Sequence, residues 1–251
     1  MSFSGKVVIV TGASSGIGAA AALLFTKECA DLTIVGRNEA KLNTVTAQCE
    51  EIGKKPLVIK ADVSVDDDAA KIINQTIEKF GKIDVLINNA GIVAMGTIMD
   101  GTFLEQYEKI AKTNLRAIIK LTTLAIPYLI KTKGNIVNIS SVSGQKATNI
   151  VFGPYGLTKA GLNFFTNCAA LELAPHGVRV NTISPGPVYT DIWDGVKADR
   201  AKFKTLKLKT ALNRMSQADE VGELILYLAS DKAVAITGSN YNTDNGYLLL
   251  N

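Results

Sequence analysis

Residues 7–18 read Val7-Val8-Ile9-Val10-Thr11-Gly12-Ala13-Ser14-Ser15-Gly16-Ile17-Gly18, and an alanine-rich stretch follows. The run of β-branched residues predicts a strand buried on both faces, the kind found in parallel sheets under helices. The three glycines mark a tight turn into a helix N-terminus. Glycine lets a backbone come close to a ligand. The unpaired N–H groups and positive dipole end of the helix attract a phosphate. A glycine-rich turn that only packs a helix on a strand looks the same, so the turn alone leaves both readings open. Its spacing is G-x-x-x-G-x-G, not G-x-G-x-x-G.

The same alternation continues along the chain. Short apolar runs recur at Leu32–Val35, Leu57–Lys60, Val85–Ile87, Ile136–Ile139, Val178–Ile183 and, more weakly, Asn240–Thr243. Helix-period stretches lie between them at Ile17–Cys29, Ala40–Gly53, Asp66–Gly81, Leu104–Thr132, Pro154–Pro175 and Ala218–Ser230. Acidic Asp66 to Asp68 suit a helix start, and Gly53, Gly81 and Pro175-His176-Gly177 suit helix ends. This pattern predicts an α/β fold: a Rossmann-like, doubly wound, mostly parallel seven-stranded sheet with helices on both faces. With no repeat or linker, residues 1–251 read as one domain. Val188–Arg214 breaks the alternation.

Composition narrows the function. The chain has 251 residues, 47% hydrophobic and 20% charged, which excludes disorder. A net charge of +4 is too small to point to nucleic acid. Cys29, Cys49 and Cys168 form neither a disulfide framework nor a metal spacing, and read as small core or near-core residues. The single histidine, His176, argues against a zinc site on His ligands and reads as a turn residue. No metal is expected, and some group other than histidine must move protons. The early first strand predicts no signal peptide. Ala117–Ile130 is too short and too interrupted to span a bilayer. These features predict a soluble protein of the reducing cytoplasm.

Several further motifs lie in a fixed order: Asp62-Val63, Asn88-Asn89-Ala90-Gly91, Asn114, Ser140-Ser141-Val142-Ser143-Gly144, Tyr155-Gly156-Leu157-Thr158-Lys159, Asn181, then Pro185-Gly186 and Thr190. With the glycine turn, they resemble the short-chain dehydrogenase/reductase family of the Tyr-x-x-x-Lys type, over nearly the whole chain. The resemblance implies a nicotinamide dinucleotide held by Gly12, Ser14, Ser15, Gly16, Ile17 and Gly18. Asp62 and Val63 would hold the adenine, and Asn89, Ala90 and Gly91 the ribose side. Pro185, Gly186, Val188 and Thr190 would flank the nicotinamide, and Tyr155 and Lys159 would touch the cofactor as well. One departure stands at Asp244-Asn245-Gly246, where the family usually has Asp-Gly-Gly.

The second strand ends at Arg37-Asn38, where an NAD site usually has an acid for the ribose 2′-OH. A guanidinium there can pair with a 2′-phosphate, and Ser14 could add a hydroxyl. The expectation is NADP(H) rather than NAD(H); a solvated surface arginine is the alternative.

Tyr155 and Lys159 are four apart on a helix and share a face. A nearby ammonium and the positive ring of an oxidised nicotinamide both favour the phenolate. Tyr155 could then act as general acid/base. Ser141, at a strand's carboxyl end, is the serine expected to orient a substrate oxygen, with Ser140 and Ser143 as alternatives. In the resembled family the residue matching Asn114 holds a water that links the lysine to solvent. It also reads as a backbone-bonded buried amide, and the two are compatible.

The stretch Val188–Arg214 carries five Lys and two Arg against three Asp, a net +4. The resemblance makes it a mobile lid over the substrate. A solvated charged face is the plainer reading. Trp193 and its aliphatic neighbours suit a lipophilic steroid-, isoprenoid- or retinoid-like substrate. The basic charge suits a 3-oxoacyl-carrier substrate. An NADP(H)-binding sensor or scaffold is the non-enzyme alternative. A homo-oligomer, tetramer or dimer, is expected through the Leu104–Thr132 and Pro154–Pro175 helices.

Overall fold

The structure is a computed structural model that describes residues 2–192 and 209–251. Its strands are β1 (Val7–Thr11), β2 (Asp31–Gly36), β3 (Leu57–Lys60), β4 (Val85–Asn88), β5 (Asn135–Ile139), β6 (Arg179–Pro185) and β7 (Asn240–Thr243). They form one sheet of seven strands in the order β3-β2-β1-β4-β5-β6-β7. All pairings are parallel. The expected Rossmann-like architecture is the observed one.

Helices α1 (Gly16–Lys27), α2 (Glu39–Ile52), α3 (Asp66–Phe80), α4 (Phe103–Ala111), α5 (Ala117–Thr132), α6 (Gly153–Leu173) and α7 (Ala218–Ala229) cover both faces. Alternation along each strand divides the core. Val8, Val10 and Ile34 face Phe25 of α1, Leu42 of α2 and Ile225 of α7. Ile9, Leu86 and Ile136 face Ile72 of α3, Leu121 of α5 and Ala170 of α6. The inner strands β1, β2, β4, β5 and β6 bury both sides, which explains their continuous apolar runs, while the edge strands β3 and β7 are partly exposed.

The expected single helix over Leu104–Thr132 is divided. Between α4 and α5, Lys112–Arg116 takes a π-helical register. Such a register widens the turn and occurs often at functional sites. Here it centres on Asn114. Two of the expected near-core cysteines, Cys29 and Cys168, are exposed, and only Cys49 is buried. His176 ends a short 3-10 turn after α6, as expected.

Of the expected lid, the structure describes 188–192 and 209–214; Trp193, Val196, Phe203, Leu206 and Leu208 lie outside the described residues. Val188 pairs with Ser216 in an isolated bridge. Among the described residues no helix is long and apolar enough to cross a membrane.

Candidate active site

The winding of the sheet reverses between β1 and β4, and crevices for ligands open at the carboxyl ends of strands at such points. A groove of about 400 Å³ lies there. It is lined by Gly12, Ser14, Ser15, Gly16 and Ile17 on one side and Asn89, Ala90 and Gly91 on the other, with Arg37, Asn38, Asp62, Val63 and Thr190 completing it.

The glycines have separable reasons. Gly12 and Gly16 sit at φ +65° and +55°, the left-handed region. A Cβ on Gly12 would also stand 2.8 Å from Ala90 Cα. Gly18 does not line the groove. A Cβ there would strike the carbonyl oxygen of Gly12, so Gly18 lets α1 start close against the turn. Thr11, which the sequence reading passed over, stitches the crevice. Its Oγ1 donates to the Ile87 carbonyl at 3.1 Å and accepts from the N–H groups of Asn89 and Ala90. Asn89 Nδ2 donates to the Thr11 and Gly12 carbonyls at 2.9 and 3.2 Å.

At the far end of the groove Arg37 is mostly exposed and lies 3.5 Å from Asp62 Oδ2. Partial burial raises the Asp62 carboxyl; the Ser64 hydroxyl and N–H and the Arg37 guanidinium lower it, and the balance leaves it below its ordinary value. Asn38 caps α2, its Oδ1 accepting from Lys41 N–H at 3.0 Å. The start of α2 therefore presents a positive dipole end beside Arg37. Glu39, the nearby acid, is paired with Lys60 at 2.9 Å. Lys41 reaches Asp191 at 2.6 Å across the groove, a pairing with no local sequence signal.

The groove opens into a cavity of about 160 Å³ through shared residues Ile17, Asn89, Gly91 and Thr190. Ser141, Tyr155, Lys159, Pro185, Gly186 and Val188 line this cavity. Two glycines let the chain after β5 lie on α6. A Cβ at Gly144 would meet the Lys159 carbonyl carbon at 2.6 Å, and one at Gly156 would meet the Ser143 carbonyl oxygen at 2.6 Å. That approach brings Ser141 to Tyr155. Ser140 instead donates its hydroxyl to the Lys159 carbonyl. Ser143 also lines the cavity.

Lys159 Nζ lies 5.7 Å from the centre of the Tyr155 ring and donates to the Ile139 carbonyl at 2.8 Å. Burial pushes the Tyr155 phenol up to about 12, with a hydrogen bond to Ser141 pulling the other way. Burial likewise pushes Lys159 down to about 8. The sequence reading expected the ammonium to lower the phenol. In this structure desolvation is the larger effect, and it favours the neutral form of both groups.

Asn114 stands one layer behind the cavity. Its Oδ1 accepts from Ile92 N–H at 2.9 Å, and its Nδ2 donates to the Ile92 carbonyl at 2.8 Å and to Thr158 Oγ1 at 3.3 Å. It is fully buried and backbone-bonded, as one of its two readings held.

A family model described as enoyl-(acyl carrier protein) reductase matches residues 12–248. The 3-oxoacyl-(acyl-carrier-protein) reductase of Thermotoga maritima is 32% identical over 99% of this chain and 100% of its own. The meso-2,3-butanediol dehydrogenase of Serratia marcescens is 34% identical, covering 98% of this chain and 96% of its own. A crystal structure of a Caenorhabditis elegans short-chain dehydrogenase/reductase of unknown function, with cofactor, matches with a TM-score of 0.91. It is 34% identical and covers 99% of this chain and 97% of that one. The chain belongs to the short-chain dehydrogenase/reductase family. Short-chain dehydrogenases bind a nicotinamide dinucleotide, and membership makes this chain an oxidoreductase of carbonyl and hydroxyl groups. The glycine turn fits such a cofactor, because a Cβ on Gly12 would fill the crevice between the turn and Ala90.

Burial of Lys159 has a measurable signature. Folded, it titrates near 8 against an ordinary value of 10.5. Below pH 8 both folded and unfolded chains hold the proton, and burying the ammonium costs its full amount. Between the two values the folded chain gives up its proton first, and the cost fades. Relative to wild type, Lys159→Met is expected to lose about 3 kcal/mol of advantage between pH 7 and pH 10.5. Urea unfolding at both pH values reads this, and a gap that is flat with pH refutes the shift.

Proposed function

We propose that the protein is an NADP(H)-dependent reductase that interconverts a carbonyl and a secondary alcohol on a lipophilic small molecule of steroid-, isoprenoid- or retinoid-like character. The observation that carries this reading is the convergence of Ser141, Tyr155 and Lys159 on one cavity continuous with the dinucleotide groove. The apolar lining by Val93, Val142, Phe152, Val188 and Ile192 supports a lipophilic substrate. Residues 188–214 would close over it as a lid on the single 1–251 domain.

A bound reduced nicotinamide supplies the hydride. Gly12, Ser14, Ser15, Gly16 and Ile17 would hold its pyrophosphate. Asp62 and Val63 would hold the adenine, and Asn89, Ala90 and Gly91 the ribose side. Pro185, Gly186, Val188 and Thr190 would hold the nicotinamide end. Ser141 donates to the substrate oxygen and positions it. Tyr155, held protonated at neutral pH by burial, gives its phenolic proton to that oxygen. Lys159, titrating near 8, carries a proton at pH 7 that balances the charge left on Tyr155. The side-chain amide of Asn114 is committed to Ile92 and Thr158. A water in the relay would therefore rest on the main chain of its π turn.

Preference for NADP(H) over NAD(H) rests on Arg37, the Ser14 hydroxyl and the start of α2 at one end of the groove, with Glu39 neutralised by Lys60. Free thiols at Cys29, Cys49 and Cys168 suit the reducing cytoplasm. A homo-oligomer is supported by Leu157, Phe164 and Leu171, exposed at 50%, 71% and 82% on α6. A second reading, a 3-oxoacyl-(acyl carrier protein) reductase, is favoured by the likeness to the Thermotoga maritima enzyme and by the +4 charge of 188–214.

Wild type is expected to use NADPH at least about tenfold better than NADH in kcat/KM, and Arg37→Asp to invert the order; a wild type that prefers NADH sinks the assignment. Tyr155→Phe is expected to lose about 10²- to 10⁴-fold in turnover of ketones while still binding NADPH by fluorescence titration. Wild-type rates from that variant would remove Tyr155 from the chemistry. Phe164→Glu is expected to lower the mass measured by light scattering to that of a smaller assembly. An unchanged mass places the interface elsewhere.

A further inference from the structure

The 160 Å³ cavity has a second pair of hydroxyls in its wall besides those of Ser141 and Tyr155. Tyr247 and Thr148 both line it, and the Tyr247 hydroxyl donates to Thr148 Oγ1 at 3.1 Å.

The wall that carries Tyr247 is braced. The Asp244 carboxylate accepts from the N–H groups of Gly246 and Leu248 at 2.9 and 3.0 Å. Asn245 sits at φ +51°, a conformation that asparagine tolerates better than most residues. Its Nδ2 donates to Ser216 Oγ at 2.8 Å. Ser216 is held in turn by the loop beside Val188: its N–H donates to the Pro187 carbonyl, and its own carbonyl accepts from Tyr189 N–H. Gly186 allows the close packing, since a Cβ there would meet Asp244 Cα at 2.7 Å. The Asn245 departure thus supplies a tie that a glycine could not.

Two hydroxyls carry two donors and four acceptor positions between them, and their mutual bond uses one of each. What remains is one donor and three acceptor positions on a fixed part of the wall. A purely apolar ligand seated there would leave these groups unpaired, and sites built to bond an oxygen discriminate strongly against the analogue that lacks it. We propose that Tyr247 and Thr148 form a second oxygen-binding point, so that the preferred substrate carries a hydroxyl or carbonyl in addition to the one that reacts. This rests on the reductase reading and narrows its substrate to an apolar body with two oxygen functions.

The test compares hexan-2-one with hydroxyhexan-2-ones whose hydroxyl lies one to four carbons from the carbonyl. Wild type is expected to favour at least one hydroxyketone over hexan-2-one by about tenfold in kcat/KM. Tyr247→Phe and Thr148→Val are expected to bring that ratio close to one, and Thr148→Ser to keep it. A residue that only braces the fold would lower both rates and leave the ratio unchanged. Calorimetric binding of the same ligands, with NADP⁺ present, gives the ratio without turnover. If Tyr155→Phe keeps its rate, the reductase mechanism falls while the calorimetric ratio still decides the oxygen site. Equal handling of hexan-2-one and every hydroxyketone by wild type, or a ratio that survives Tyr247→Phe, overturns the proposal.

Discussion

The Thr11 hydroxyl sits where the sheet reverses its winding, and the site is arranged around it. One atom donates to the carbonyl of Ile87 and accepts from the N–H groups of Asn89 and Ala90. These contacts tie the carboxyl ends of β1 and β4, which then diverge into the glycine turn and the Asn89–Gly91 turn. Had β1 ended in valine, the part-buried Ala90 N–H would have lost this acceptor, at a cost of about 1 kcal/mol, while Asn89 N–H would keep only the Ile87 carbonyl. The groove is therefore a consequence of how two adjacent strands end. Gly12 is required by the same geometry, since a Cβ there would stand 2.8 Å from Ala90 Cα.

The second constraint is the burial of a lysine. Lys159 is 3% exposed and reaches a main-chain carbonyl through its ammonium group. No structural need of the sheet requires an amine there, and an apolar residue would fill α6 at lower cost. Local strain or desolvation at the expense of stability is the common mark of a functional position. Tyr155 is buried by the same packing, so the environment that destabilises one group's charge also destabilises the other's. At neutral pH the phenol is therefore held neutral, while the ammonium keeps its charge against burial.

The strands and the glycine turn were readable because their causes are local. A strand buried on both faces must be continuously apolar, and Val7–Val10 or Leu32–Val35 can hardly be anything else in this context. The motif residues were readable as a set because each lies at a strand end or helix start. What escaped was set by contacts between distant segments. Nothing near Lys41 announces Asp191, and nothing near Tyr247 announces Thr148. The direction in which Tyr155 shifts escaped for a related reason: spacing brings Lys159 to its face, but only packing sets the desolvation of both. The division of Leu104–Thr132 was hidden because a π turn keeps the apolar pattern of a helix nearly intact.

That π turn links the groove to the helix that carries Tyr155 and Lys159. The chain after β4 leaves the sheet at Asn89, so the main chain of Ile92 has no strand partner. Asn114 supplies one, its amide bonding both the N–H and the carbonyl of Ile92 as a neighbouring strand would. The extra residue in the turn is what lets a helical side chain take on that work. Gly91 is thereby held against both partners: a Cβ there would stand 3.5 Å from Asn114 Oδ1 and 3.6 Å from Lys159 Nζ. Asn114 thus stands behind the floor of the groove at Gly91 and, through its bond to Thr158, beside the turn of α6 that carries Lys159.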